Sequence, residues 1–401
     1  MAGGDGGEAR DSTVVGVTRE PLSSRAKSVP ASKIRRMFGL AARPGVINLA
    51  IGEPDFATPE HIVAAARDAL TQGLTKYTPS LGTLELRRAV AAKVRRDNLL
   101  LVDESWVVAT AGAMEGLAVS MMTVLDPGDE VLIPNPGYTN FLGQARLVGA
   151  VPVFYPLEAP DFQVDVATLS HLVTRNTRAI VICSPANPTG AVLQRDNLEA
   201  IAGLVRENDL VVLSDETYDA LVYDGTQNVS IASLPGMANR TFSIFSLSKT
   251  YAMTGWRLGY VVAHPDFVER MEVLQEHLVS CCSSVSQHAG VAALLGPQEC
   301  VESMRRAYDE RRKFLVPALN AMGPFECAAP KGAFYVWLGI RGLGESADEV
   351  ADRLVGEAGV ATVPGTAFNS RGEGFLRMSY AANMTILREA ITRLARFVET
   401  G

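Results

Sequence analysis

SLSKTYAMTGWRLGY, residues 246–260, sets one lysine apart from the rest of the chain. Lys249 follows an apolar, strand-like run from Thr241 to Phe245. Ser246 stands three positions before it and Arg257 eight positions after it. A lysine at a strand end, flanked by groups able to hold a phosphate, suits imine formation with an aldehyde cofactor. Most lysines are solvated surface charges, so this reading depends on partners elsewhere in the chain.

Working outward from that strand, the chain alternates strand and helix from about residue 105. Strands are expected at Trp106–Thr110, Glu130–Ile133, Val151–Tyr155, Arg178–Cys183, Leu210–Ser214, Thr241–Phe245 and Leu258–Ala263. Helical periodicity falls between them at Met114–Leu125, Phe141–Val148 and Asn197–Arg206. Runs such as Arg178–Cys183 and Leu210–Ser214 are continuously apolar, as strands buried on both faces require. The alternation predicts an α/β domain with a mostly parallel sheet and helices on both sides. After about residue 265 the pattern changes. Long helices at Pro265–Val279 and Val301–Ala321 lead into strands at Phe334–Leu338, Gly359–Val363 and Phe375–Ala381, with helices at Ala347–Glu357 and Met384–Glu399. This predicts a smaller α+β domain, completed by residues near the N-terminus. The division expected is a disordered tail over 1–16, a segment over 17–60 that joins the small domain, a large domain over 61–295 and a small domain over 296–401.

Composition narrows the function. The chain has 401 residues, is 47% apolar and carries a net charge of −7 without a basic block, so nucleic acid or an anionic membrane surface is not an expected partner. No apolar run is long enough for a transmembrane helix. The Gly-rich, acidic start resembles neither a secretory signal nor an Arg-rich transit peptide. Five cysteines without CxxC spacing and five scattered histidines argue for a reducing cytoplasm and against a metal site.

Three further motifs fall where strands of the large domain end, the edge at which open α/β sheets bind ligands, and a fourth lies on a strand of the small domain. Ala109–Gly116 is a small-residue turn before a helix, either a phosphate cradle or an ordinary βα turn. Ser184-Pro-Ala-Asn-Pro-Thr-Gly190 is a stiff loop that could fix the amide of Asn187 against a phenolic oxygen. Asp215, closing an apolar strand, could keep a pyridine nitrogen protonated, with Tyr218 reaching the same ring's oxygen; the plainer alternative is a helix N-cap. Arg377, among apolar strand residues, needs an anionic partner: a substrate carboxylate or a protein carboxylate.

Together these strings resemble the class I/II aminotransferases, that is, fold-type I enzymes dependent on pyridoxal 5'-phosphate (PLP). The resemblance runs from about Val46 to Glu399, through NLAIGEPDF (48–56), KYTPSLGTLELRRAV (76–90), PNPGYTNF (134–141), SPANPTG (184–190), SDETY (214–218), SLSKTYAMTGWRLGY (246–260), PKGAFYVW (330–337), VPGTAF (363–368) and RMSY (377–380). It implies that Lys249 is the Schiff-base lysine and that Asp215 pairs with the pyridine nitrogen. Asn187 and Tyr218 would hold the ring oxygen, and Tyr138 would stack on the ring. Gly112, Ala113 and Met114 would offer backbone to the phosphate, with Ser246 and Arg257 adding side chains. Arg377 would clamp the substrate α-carboxylate, aided by backbone at Gly52. Tyr77 would reach the phosphate of a neighbouring subunit, which implies a homodimer with shared active sites. Met114 departs from the polar or basic side chain many relatives carry there, so phosphate binding leans on Ser246, Arg257 and Tyr77.

The implied reaction is ping-pong transamination between an L-amino acid and a 2-oxo acid. Elimination by a C–S β-lyase and cyclopropane-forming synthase chemistry are alternatives on the same scaffold. A binding protein without activity conflicts with the complete residue set, and a nicotinamide dehydrogenase conflicts with the missing GxGxxG. Tyr138, Tyr335, Trp337 and Phe368 are candidates for a partly aromatic side-chain pocket. No distal arginine for a dicarboxylate side chain is evident.

Overall fold

The computed structural model describes residues 21–400; the expected tail over 1–16 lies outside them. β1 (Ile47–Asn48) belongs to the periphery. The next seven strands form one sheet: β2 (Val107–Thr110), β3 (Glu130–Asn135), β4 (Val151–Pro156), β5 (Thr177–Cys183), β6 (Val211–Asp215), β7 (Thr241–Ser246) and β8 (Gly259–Val262). Their order is β2-β8-β7-β6-β5-β3-β4, and only β8 runs antiparallel to its neighbours.

The pleat explains the layers. Alternate residues such as Val131, Ile133, Leu213 and Ile244 pack under the helices Ala113–Val124, Thr139–Val148 and Pro265–Leu278. Their neighbours Leu132, Ile180, Ile182 and Val212 face the opposite side, where helix Arg195–Glu207 buries Leu198, Ile201 and Val205. Toward the β2 edge that second face is covered by Leu84–Asp97 and Ser284–Leu295. The helices Glu60–Thr71, Leu84–Asp97 and Ser284–Leu295 are not among those expected, although the first two bury helical stripes of Ile62, Ala66 and Ala69 and of Leu86, Ala89, Val90 and Val94. Ser284–Leu295 is small and apolar nearly all round, so it carries no stripe to read.

Beyond the long helix Glu299–Asn320, β9 (Tyr335–Gly339) pairs antiparallel with β12 (Phe375–Ser379), which pairs with β11 (Val363–Pro364). The strand expected over Gly359–Val363 is divided: β10 (Val360–Ala361) pairs parallel with β1, and β11 joins the other sheet. The helix expected over Ala347–Glu357 is α-helical only to Arg353 and ends in a π-turn over Leu354–Ala358. Among the described residues no helix is long and apolar enough to cross a membrane.

One glycine holds the sheet edge together. Thr110 of β2 and Ser246 of β7 both lie opposite Gly259, the first residue of β8. A Cβ at Gly259 would fall 2.7 Å from the Phe245 carbonyl oxygen and 2.8 Å from the Ala113 nitrogen, both backbone atoms that cannot swing aside. Gly259→Ala is therefore expected to cost at least about 1–3 kcal/mol in urea unfolding. Gly203→Ala, where a Cβ meets nothing within 4 Å on a helix, is expected to be neutral or stabilising by up to ~1 kcal/mol.

Candidate active site

The single antiparallel strand decides what meets at the sheet edge. β2, β5, β6 and β7 all point their C-terminal ends to one side, and β8 begins there. The loop after β2 and the residues following β5, β6 and β7 therefore surround one cavity of about 860 Å³, together with the segment entering β8. Among the sequence-predicted residues, Gly52, Ala113, Met114, Tyr138, Asn187, Asp215, Tyr218, Ser246, Lys249, Arg257 and Arg377 line it. Gly112 flanks that wall at the N-cap of Ala113–Val124. Tyr77 does not line it, and is 90% exposed.

Lys249 is no surface lysine. It sits in the short helix Leu247–Thr250 directly after β7, and its Nζ donates to the Gly52 carbonyl at 2.6 Å. Burial pushes its pKa down to about 8; Glu53 opposes that shift, and the Arg377 and Arg257 cations add to it. Asp215 ends β6 and starts no helix. Its carboxylate accepts the Thr217 N–H at 3.1 Å, as in an Asx-turn, and no basic side chain among the described residues pairs with it. Burial raises its pKa, with the Thr217 hydrogen bond opposing. Tyr218 shares a 2.7 Å hydrogen bond between its hydroxyl and that of Tyr335, and burial holds its pKa well above the usual tyrosine value.

Arg377, in β12, is 2% exposed. Its Nη1 donates to Asn187 Oδ1 at 3.0 Å and its Nη2 to the Ala50 carbonyl at 2.6 Å. Its Nε is buried without a partner. The guanidinium lies 4.4 Å from the Tyr335 ring centre and 5.0 Å from that of Phe368. The ion pair with a protein carboxylate is not formed among the described residues: every acceptor here is neutral. A buried cation of this kind is costly until an anion meets it.

At the other end of the cavity, Gly112 adopts φ +84° and opens helix Ala113–Val124 without a side-chain cap. Arg257, itself at φ +52°, brings its guanidinium alongside: a Cβ on Gly112 would lie 2.6 Å from Nη2. Arg257 Nη1 and Nη2 donate to the Thr254 and Ala111 carbonyls at 3.0 and 3.3 Å. Ser246 Oγ accepts the Ser248 N–H at 3.2 Å. Free helix N–H groups beside a guanidinium and a hydroxyl form an anion cradle.

Tyr138 packs edge-on against Phe141, and burial raises its pKa to about 12. Its hydroxyl accepts from Asn140 Nδ2 at 2.9 Å, and the same amide lies 3.2 Å from the Met114 sulfur. The Met114 carbonyl accepts from Gln144 Nε2 at 2.8 Å. Of the four aromatics expected in a side-chain pocket, Tyr138 and Tyr335 line the cavity. Trp337 and Phe368 pack edge-to-face on each other in the core.

Among the lining residues, Thr254 and Arg35 escape a reading of the sequence. Thr254 lines the wall and donates to the carboxylate of Glu53. Arg35 comes from helix Lys33–Ala41, which no motif marks. Lys33 and Arg36 of that helix pair with Asp348 and Asp352 at 2.8 and 2.6 Å. Arg35 lines the cavity and has no acidic partner among the described residues. Only the cluster KIRR (33–36) hinted at it. The assembled site can grip a carboxylate at one end and an anion at the other, with an amine of lowered basicity between them.

The family described as Aminotransferase class I and II matches residues 44–396. The chain is 43% identical over 383 residues to "Aromatic-amino-acid aminotransferase 2" of Thermococcus litoralis, covering 94% of this chain and 98% of that protein. It is 41% identical to "Aspartate aminotransferase" of Pyrococcus abyssi, with 94% and 97% covered. Among solved structures it superposes on aspartate aminotransferase from Thermus thermophilus with maleate at TM-score 0.90 and 37% identity, covering 94% and 99%. Both the sequence match and the superposition run through the sheet, the cavity and the small sheet alike, so the chain belongs to the class I and II aminotransferases, a family that generally uses PLP, and is an aminotransferase.

Proposed function

We propose that this aminotransferase moves the amino group of a neutral or aromatic L-amino acid to a 2-oxo acid in two half-reactions, with PLP held at the strand ends. The observation that carries the reading is the buried Arg377, whose cation has only neutral partners and one orphaned N–H. The residues present fit the cofactor. The helix start at Gly112–Met114, with Ser246 and Arg257, suits its phosphate; the buried, cation-free Asp215 suits its ring nitrogen; Asn187 and Tyr218 suit its ring oxygen; Tyr138 suits its ring face. Bound there, PLP supplies a carbonyl for lysine and substrate amines and an electron-withdrawing ring that acidifies the substrate Cα–H.

The remaining chemistry belongs to the chain. Arg377 orients the substrate through its carboxylate, with the Gly52 and Asn187 segments beside it. Lys249 would serve the cofactor's carbonyl and, once free, its neutral amine would act as the general base that takes the substrate α-proton and returns it. Its lowered pKa keeps a usable fraction of neutral amine near pH 8. Asp215 would keep a proton on the ring nitrogen, the role its cation-free carboxylate suits.

Away from the strand ends the cavity is lined by Ile34 and Phe38 of helix Lys33–Ala41, which also brings the unpaired Arg35. The apolar part suits neutral or aromatic donors, and Arg35 suits the distal carboxylate of a dicarboxylic acceptor. The relatives' names include enzymes of both kinds. We read residues 61–295 as the large lobe and 17–60 with 296–401 as the small one, with the site between them. The functional unit is read as a homodimer in which the exposed Tyr77 enters the neighbouring site. Five free thiols suit a reducing cytoplasm.

The protein with added PLP is expected to show a near-visible band that bleaches with a donor amino acid as the matching 2-oxo acid forms. Ammonia release without bleaching would indicate elimination instead. Lys249→Ala is expected to abolish steady-state transamination. In the wild type, PLP capture by the apoprotein should quicken roughly tenfold per pH unit below about 8 and level off above it, because only the neutral amine attacks; a flat stopped-flow profile would contradict this. Arg377→Ala is expected to raise KM for every substrate by at least about tenfold while the cofactor band persists. Arg35→Gln is expected to raise KM for 2-oxoglutarate about tenfold and leave that for pyruvate or an aromatic donor nearly unchanged.

A further inference from the structure

A second buried charge stands behind the strand ends and is not used by the chemistry above. Lys93, in helix Leu84–Asp97, is 4% exposed. Its ammonium donates to the Asp219 carboxylate and to Asn98 Oδ1 at 2.8 Å, and lies 4.8 Å from the Phe245 ring centre. Asn98 Nδ2 donates to the same Asp219 carboxylate at 3.3 Å.

These partners lie beside the proposed cofactor residues. Asp219 follows Tyr218, and its N–H donates to the Glu216 carbonyl at 3.1 Å, closing the turn that directly follows Asp215. Phe245 precedes Ser246 at the end of β7. Lys93 thus touches both chain segments that carry Asp215, Tyr218, Ser246 and Lys249. It does so from outside the large cavity, and lines a separate polar one of about 310 Å³. Between the two, the buried Glu216 carboxyl accepts from Ser230 and Ser214 hydroxyls at 2.7 and 3.1 Å, and its N–H donates to the Ile244 carbonyl. The charged and titratable groups nearest Lys93 are Asp219, Glu216 and Tyr251, and Arg96, Asp97, Glu302 and Arg305 line the same cavity.

Stability alone does not account for this arrangement. A buried ion pair recovers its desolvation cost only in good geometry, and apolar side chains of similar size often do as well. What the pair supplies is direction: the carboxylate can meet Lys93 and Asn98 in one turn conformation.

We infer that Lys93 and Asp219 are positioning residues for the reaction, holding the Glu216–Asp219 turn so that Asp215 and Tyr218 face the cavity. The inference rests on the reading of that cavity as the PLP site. It separates function from stability. Lys93→Met leaves Asp219 buried and unpaired, and both stability and activity should fall. The double variant Lys93→Met/Asp219→Leu removes both charges, and its unfolding midpoint should recover toward wild type.

The double variant, as holoenzyme, is nevertheless expected to lose at least about tenfold in kcat with little change in KM, and to shift the pH midpoint of the near-visible band. In both variants as apoprotein, amide hydrogens of residues 216–219 should exchange faster than in wild type. A folded double variant with wild-type kcat, band midpoint and 216–219 exchange would overturn the inference. A wild-type protein without any near-visible band after PLP addition would instead overturn the cofactor reading; the exchange measurement still decides whether Lys93 holds the turn.

Discussion

A guanidinium almost wholly removed from solvent is the constraint around which the site is built. Arg377 offers five donors and a charge that cannot be removed by deprotonation. Its neutral contacts come from four separate places: the Ala50 carbonyl, the Asn187 amide and the rings of Tyr335 and Phe368. Each draws a different piece of chain to the same point. The segment 48–56 is fixed twice more, by the bidentate Arg311–Asp55 pair at 2.7 and 2.9 Å and by Lys249 on the Gly52 carbonyl. Amine and guanidinium are thus indexed to one short stretch of backbone, and their separation cannot drift independently.

The sheet supplies the second index. A wholly parallel sheet would have sent the residues before β8 to the opposite edge. Because β8 runs backwards between β2 and β7, Arg257 arrives beside the helix start at Gly112 and Ala113. The crowding that results leaves room only for glycine at 259. Close packing, cation placement and the free helix N-terminus follow from one reversed strand. The electrostatics follow in turn: burial and two nearby guanidinium groups disfavour a third positive charge, which lowers the pKa of Lys249.

Much of this was legible in the chain. Strands such as Thr241–Phe245 and Leu210–Ser214 were readable because burial on both faces demands continuous apolar residues. The loops after them stood out because glycine, proline and a lone polar residue at a strand end have few other uses. Helices whose apolar stripe is missing or masked by charge were not readable. Ser284–Leu295 is buried nearly all round, and Leu84–Asp97 is rich in charge on its outer face, with Lys93 hidden among ordinary surface lysines and arginines.

The sequence by itself determined which residue types end each central strand, and hence the fold class, because those features are local and obey the two-residue and 3.6-residue periods; the aminotransferase chemistry came from the resemblance of the strand-end motifs to a family. Only the tertiary structure decided which charges are paired. Three basic residues within Lys33–Arg36 are equivalent on paper, yet two meet acids on helix Ala347–Arg353 and Arg35 meets the cavity. A structural ion pair stayed open for Arg377 until its surroundings proved neutral, and nothing in the sequence around Lys93 marks it as buried. The pairing of a charge is set by long-range packing and by the water it loses, and neither is written in the residues beside it.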